Sequence, residues 1–271
     1  MYLGVKGLVF LELLVTGGDW GGPATSDVHG SNASWLTSPS WVLIHALASM
    51  ISRDQHHILI DGIYDDVALP NEEDSMLLGR LAMTFDEGAV KREREFTRFK
   101  YDLTGIDLLR KHLFEPSLNL DGIGSGHIEK GAKTVLPHEA CAKIHVRLVP
   151  RMRPHDIVDK VSRHLDNRGF KQVQVSCRAA YPPSKGSVGD LANRSMIHTY
   201  QSLGYSPEIW PLISGAAPFY LFRQELDIPL SMGGLGHGGR QHSANEYATL
   251  SGMRLFEKSA ASFVQSFAEQ A

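Results

Sequence analysis

At 271 residues and 42% hydrophobic, the chain has enough apolar content for one large core or two smaller ones. A formal net charge of −3 leaves no basic footprint and argues against a nucleic-acid partner, and no run approaches the ~20 apolar residues of a membrane span. Two cysteines, Cys141 and Cys177, fall in strand-like runs far apart, which fits buried thiols in a reducing, cytoplasmic compartment rather than a disulfide framework.

The opening "MYLGVKGLVFLELLVTGG" has the outline of a signal peptide, a lysine followed by apolar residues. Glu12 interrupts the run and no small-residue cleavage site follows, so it reads as a strand from Val5 to Thr16. A core-grade strand that starts with no cap or tail raises the expectation that the chain continues something longer. Ser38 and Pro39 then supply N-cap and first-turn signals for a helix with Trp41, Ile44, Ala48 and Ile51 on one face. Residues 61–115 hold charge runs such as "NEEDS" and "KREREF" with short amphipathic pieces, and read as a helical, surface-lying insertion. Regular structure resumes with the strand "SLNLDGI", the strand "ACAKIHVRLVP", a helix "PHDIVDKVSRHLDNRG" ended by Gly169, and the strand "KQVQVSC". Without the insertion the order is strand, helix, strand, strand, helix, strand, the ferredoxin-like βαββαβ unit.

From about Ala179 the pattern changes to alternating helix and short strand. A helix from Asp190 to Leu203 is stopped by Gly204, strand-like "EIW" follows, then a helix through "FYLFRQEL", a strand "IPLSM", and a final helix from about Ala248 to Ala268. This is α/β grammar with buried strands. The chain therefore divides into a first domain, residues 1–178, and a second, residues 179–271.

"GHGGRQHSANEY" places His237 and His242 five apart, with Glu246 nearby, in a loop too small and polar to bury an imidazole; His242 is a candidate metal ligand or acid/base. A single-metal site built from His237, His242 and Glu246 is disfavoured, because glycine-loop ligands without a rigid supporting shell bind metal poorly. His164 and Asp166, two apart on a helix, point to different faces and read as surface. His29 lies in the loop "SDVHGSN" and is either a surface histidine or an oxyanion or substrate contact. Thr134 precedes an apolar strand as ordinary turn chemistry. Arg147 stands on an otherwise apolar strand, where a guanidinium meets either a substrate carboxylate or a structural acid.

Seven spaced segments, "GVKGLVFLELLVTGG", "SDVHGSN", "PSWVLIHALASM", "ILIDGIYDDV", "SLNLDGIGSG", "GAKTVLPHEACAKIHVRLVPRM" and "RQHSANEY", together resemble the co-catalytic zinc peptidases and amidohydrolases of metallopeptidase family 20, with the dipeptidase branch nearest. The resemblance implies a ferredoxin-like lid, which makes a homodimer, followed by the C-terminal part of an α/β catalytic domain that holds two zinc ions. It implies that His242 is the last zinc ligand, that His29 stabilises the oxyanion in a neighbouring subunit, and that Arg147 and Thr134 contact the substrate's carboxylate end, with Ser214 and Gly215 also binding substrate. The family's earlier metal ligands and its general-base glutamate precede the segment with which this chain begins. The chain also reads "SGAAP" where the branch has a "GGSGP"-like loop, so Ala216 and Ala217 put methyl groups where backbone amides approach substrate. The expected function is hydrolysis of a peptide or amide bond beside a free carboxylate, in a chain inactive by itself. The alternative is a non-catalytic dimerisation or amino-acid-binding module.

Overall fold

The computed structural model describes residues 1–240 and 244–271. Its spine is β1 (Gly4–Thr16), in which Val9, Leu11, Leu13 and Val15 are fully buried while Leu8, Phe10, Glu12 and Leu14 face the other way. That alternation is the period-two signature of a strand with one covered face. After the two-residue β2 (Val28–His29) comes α1 (Pro39–Ser49), with proline in its first turn. Residues 61–115 carry α2 (Glu72–Thr84), α3 (Glu87–Glu93) and α4 (Gly105–Phe114). Then follow β3 (Ser117–Ser125), β4 (Val135–Leu136), β5 (Glu139–Leu148), α5 (Pro154–Asn167) and β6 (Val173–Tyr181).

The main sheet runs β3-β5-β1-β6 with every neighbouring pair antiparallel. With α1 and α5 packed on one face, this is the ferredoxin-like connectivity that the element order predicts. The two helices meet the sheet through a cluster that includes Leu43, Ala46, Met50, Ile144, Val146, Ile157, Val161 and Leu165.

Three expectations about residues 1–178 need correcting. The buried face of α1 is Leu43, Ala46 and Met50, whereas Trp41 and Ile44 are 62% and 41% exposed and Ala48 is exposed too. The helix is apolar nearly all round, so periodicity alone could not choose its inner face. His164 is fully buried rather than superficial: its Nε2 is 3.1 Å from the Ser49 carbonyl oxygen at the end of α1. Cys177 is exposed and Cys141 only half-buried: Cys141 stands opposite Leu14 on the sheet face that α1 and α5 leave open, whereas Cys177 stands opposite the buried Leu11 on the outer strand β6.

The helical segment has a core of its own, in which Leu78, Leu81, Leu109, Leu113 and Phe114 close around Leu212 from the later part of the chain. α2 starts with a full capping box between Asn71 and Asp74. Beyond β6 come β7 (Ser184–Lys185), α6 (Leu191–Ser202), β8 (Ile213–Ala216), the ladder of β9 (Gly238–Gly239) with β10 (Tyr247–Ala248), and α7 (Leu250–Gln270). The first residues of β1 pair with β7 and β8, so this strand joins both parts of the chain. Gly4 and Gly7 permit that crowding, since a Cβ on either would lie 2.3 Å from the Ser184 carbonyl oxygen or 2.5 Å from that of Tyr181.

The expected strands at "EIW" and "IPLSM" contribute only single bridges, from Trp210 and Met232 to Tyr2. The expected helix at "FYLFRQEL" is one π-turn, Leu221–Glu225. The strand that does form, β8, occupies the "SGA" that reads in sequence as a substrate loop. α7 buries only Gly252, Ser259 and Ser266 at seven-residue spacing, while its Leu250, Met253, Phe256 and Val264 are more than half exposed.

Candidate functional site

At the far end of β1, β2 pairs with β4 in the register His29↔Val135. His29 caps a short 3₁₀ turn, its Nδ1 accepting from the Ser31 amide at 3.2 Å, which leaves Nε2 directed at Thr134 Oγ1, 3.5 Å away. Both residues are exposed. Asp27 braces this end by accepting from His138, through the backbone amide at 3.1 Å and Nδ1 at 2.7 Å, and the bond to the imidazole holds its carboxyl below the usual range. A small polar platform is thus presented, with an imidazole and a hydroxyl side by side.

At the other end, Arg147 on β5 stands opposite Leu8 and projects from the face away from α1 and α5. It is half-buried and, among the described residues, makes no ion pair. It lines a cavity of about 270 Å³ together with Lys6, Lys111, Glu115 and Ser214. A second cavity, of about 390 Å³, shares Ser214, Leu108 and His112 with the first and adds Gly215, Trp210 and Phe85. The strand register that puts Lys6 beside Ala216 brings Ser214 to this wall. Arg147 and Ser214 therefore share one cavity, and Gly215 belongs to its apolar neighbour.

The two pairs are far apart. β1 runs from Leu8, opposite Arg147, to Thr16, opposite Glu139, a distance of roughly 27 Å at the rise of an extended strand. The His29 platform begins beyond Thr16, where the Gly17 amide donates to His138. One copy of the chain cannot bring His29 and Arg147 to the same small molecule.

His242, the candidate metal ligand, lies outside the described residues. His237 precedes β9 and meets Tyr247 edge-on, with ring centroids 6.2 Å apart. Among the described residues no three His, Cys, Asp or Glu side chains converge as a metal site would require. The described residues do not fit a zinc centre by themselves.

Lys6 is the residue that sequence reasoning passed over. It is 3% exposed, and its Nζ donates to the Glu115 carbonyl oxygen at 2.7 Å. Burial, reinforced by Arg147 and opposed by Glu115, pushes its pKa down to about 8. The available signal was the one used for Arg147, a cation inside an otherwise apolar strand.

Comparison with known proteins places these observations in context. The family model described as a peptidase dimerisation domain matches residues 25–173. The Beta-Ala-His dipeptidase of Rattus norvegicus is 30% identical over 247 residues, covering 85% of this chain and 48% of the relative. Among solved structures, an M20 family metallo-carboxypeptidase from Sulfolobus solfataricus superposes with a TM-score of 0.87 at 29% identity, over 98% of this chain and 59% of that one. Human carnosine dipeptidase 1 gives 0.81 at 25% identity, over 99% and 57%. The chain spans about half the length of the curated relatives it matches.

Proposed function

This chain belongs to the M20 peptidase family, and on that premise we propose that it is a homodimerising part of a metal-dependent dipeptidase. Residues 1–178 act as the dimerisation lid, with the helical insertion at about 61–115, and residues 179–271 as the C-terminal portion of the catalytic domain. The reaction served is hydrolysis of a peptide or amide bond beside a free carboxylate, in the cytoplasm. Arg147 receives that carboxylate on its guanidinium, assisted by Ser214 and Gly215 and by Thr134 of a second copy, while His29 of that second copy donates toward the oxyanion.

The observation that carries this reading is the separation of the two polar pairs across the length of β1. A composite site assembled from two chains makes use of both; a single chain does not. The surface for a second copy is at hand. β3 is the edge of the main sheet, its Leu120 and Ile123 are 48% and 51% exposed, and the outward face of α1 offers Trp41 and Ile44. Unpaired backbone groups beside apolar side chains invite pairing with another strand or helix.

In the intact enzyme His242 would be one ligand of two zinc ions, a pair that would supply hydroxide and carbonyl polarisation when bound. The remaining ligands and the proton-shuttling glutamate come from outside this chain, which does not turn over substrate by itself. Zinc content measured alongside mass by light scattering tests the proposal. A dimer holding essentially no zinc is expected. A monomer would remove the trans role of His29, and tight zinc with dipeptide turnover lost in His242→Ala would overturn the inactivity. The second reading, a non-catalytic amino-acid-binding dimer, draws on the same unpaired Arg147, and the same preparation separates the two if turnover appears when a metal-bearing partner segment is supplied.

A further inference from the structure

The cavity that holds Arg147 is lined by four cations, Lys6, Lys100, Lys111 and Arg147, and by one carboxylate, that of Glu115. Glu115 is already engaged by Lys111, whose Nζ lies 2.5 Å from Oε2. Lys111 also sits 4.2 Å above the Tyr101 ring, and Lys100, which is exposed, lies 5.4 Å above the same ring. Among the described residues three of these cations have no carboxylate of their own, Lys6, Lys100 and Arg147, and of the three Lys100 is exposed to solvent. Lys6, 3% exposed, and Arg147, half-buried, are the two withdrawn from water and still unpaired, since the half-buried Lys111 is met by Glu115.

A buried ammonium is costly unless its three N–H groups and its charge are met. Among the described residues the hydrogen-bond partner of the Lys6 ammonium is a single backbone carbonyl, which answers one N–H and no charge. Each of the two cations further raises the cost of the other, as they face one cavity in a poorly solvated setting. One carboxylate satisfies a guanidinium bidentately and leaves the ammonium unmet. A ligand with two carboxylates satisfies both.

The geometry points to a two-cation seat in which Arg147 holds the terminal carboxylate of the substrate and Lys6 holds a second carboxylate on the same residue, so that the preferred substrates end in an acidic amino acid. The inference rests on the reading of Arg147 as a carboxylate ligand and adds Lys6 as the residue that selects among carboxylates. Ser214 supplies a hydroxyl on the same wall, and Phe99, Leu108 and Pro116 line the space around the methylenes between the two charges.

Calorimetric titration of the chain with glutarate, butyrate and inorganic phosphate tests it, on the wild type and on Lys6→Met, Lys6→Arg and Arg147→Met. Glutarate should bind roughly ten-fold or more tightly than butyrate, the scale of one charge-assisted hydrogen bond. Lys6→Met should bring glutarate down to the level of butyrate without moving butyrate, Lys6→Arg should keep most of the preference, and Arg147→Met should abolish both. Equal binding of glutarate and butyrate, or a preference untouched by Lys6→Met, overturns the role of Lys6 while Arg147-dependent butyrate binding leaves the carboxylate reading standing. Binding of neither, or binding indifferent to Arg147→Met, overturns that reading and the inference with it. Phosphate matching glutarate would mean a compact anion site in place of a spaced pair, and also overturns it. If Lys6→Met does not fold, the wild-type comparison alone decides.

Discussion

His29 and Thr134 face each other across the short ladder of β2 and β4, Nε2 3.5 Å from Oγ1, at an exposed corner of the sheet. Neither side chain is buried, and the bond that orients the imidazole comes from its own 3₁₀ turn. Their stability role is therefore slight. His29→Ala is expected to change unfolding free energy by no more than about 0.5 kcal/mol, as at an ordinary surface position. A urea titration that finds a loss above about 2 kcal/mol would assign His29 to the fold instead of to a neighbouring active site.

The edge strand and the outer face of α1 should hold the dimer. Trp41→Glu combined with Ile123→Lys puts charge on two surfaces that are 62% and 51% exposed in the single chain. The dimer dissociation constant should rise roughly thirty-fold or more, the loss of about 2 kcal/mol typical of an interface anchor. Sedimentation velocity at micromolar concentration reports the result, and an unchanged mass would place the interface elsewhere.

His164 should make the fold acid-sensitive. Burial pushes its pKa below the ordinary value, with Asp61 opposing, Arg168 adding to the fall, and the Ser49 carbonyl opposing through its hydrogen bond. The folded state thus favours the neutral ring. Stability is complete above the unfolded value near ~6.5 and falls as pH drops below it, because the unfolded chain takes up the proton first. His164→Ala should cost about 2–4 kcal/mol at pH 7.5 through the cavity and the lost bond to Ser49. It should also lose less than the wild type between pH 7.5 and 5.5. Parallel losses in urea melts would show that another group carries the pH dependence.

Lys6→Met should stabilise the protein at neutral pH, by about 1–3 kcal/mol. With a folded pKa of about 8, Lys6 is charged in both states below that pH and the folded state bears the full cost of burying it. Between pH 8 and the unfolded value near ~10.5 the folded state gives up the proton first, so wild-type stability rises with pH and the advantage of the methionine fades. Thermal melts at pH 7 and pH 10 measure the difference. A destabilised variant at pH 7 would show that the ammonium is structural and well paired.

A residue that lowers stability while lining a cavity is one whose presence the fold alone does not explain. In this chain the sequence rule that singled out Arg147, a cation on an apolar strand, applies equally to Lys6 in "GVKGLVF", and only the crossing of β7 and β8 over the start of β1 reveals that both face one cavity. Likewise the apolar residues of α1 were plain in sequence, but which of them faces the sheet was settled by where the helix lands on β1 and β5.

Local pattern determined what is local. Alternation along β1, proline and glycine at helix ends, and the order of elements sufficed for the ferredoxin-like unit, because backbone hydrogen bonding and side-chain period act over a few residues. Register and packing between distant segments decided the rest. Only the antiparallel pairing of β1 with β5 separates His29 from Arg147 by the length of the sheet, and only the closure of α5 on α1 buries His164 against Ser49. Such relations join residues more than a hundred positions apart, and their energies lie in contacts that no window along the chain contains.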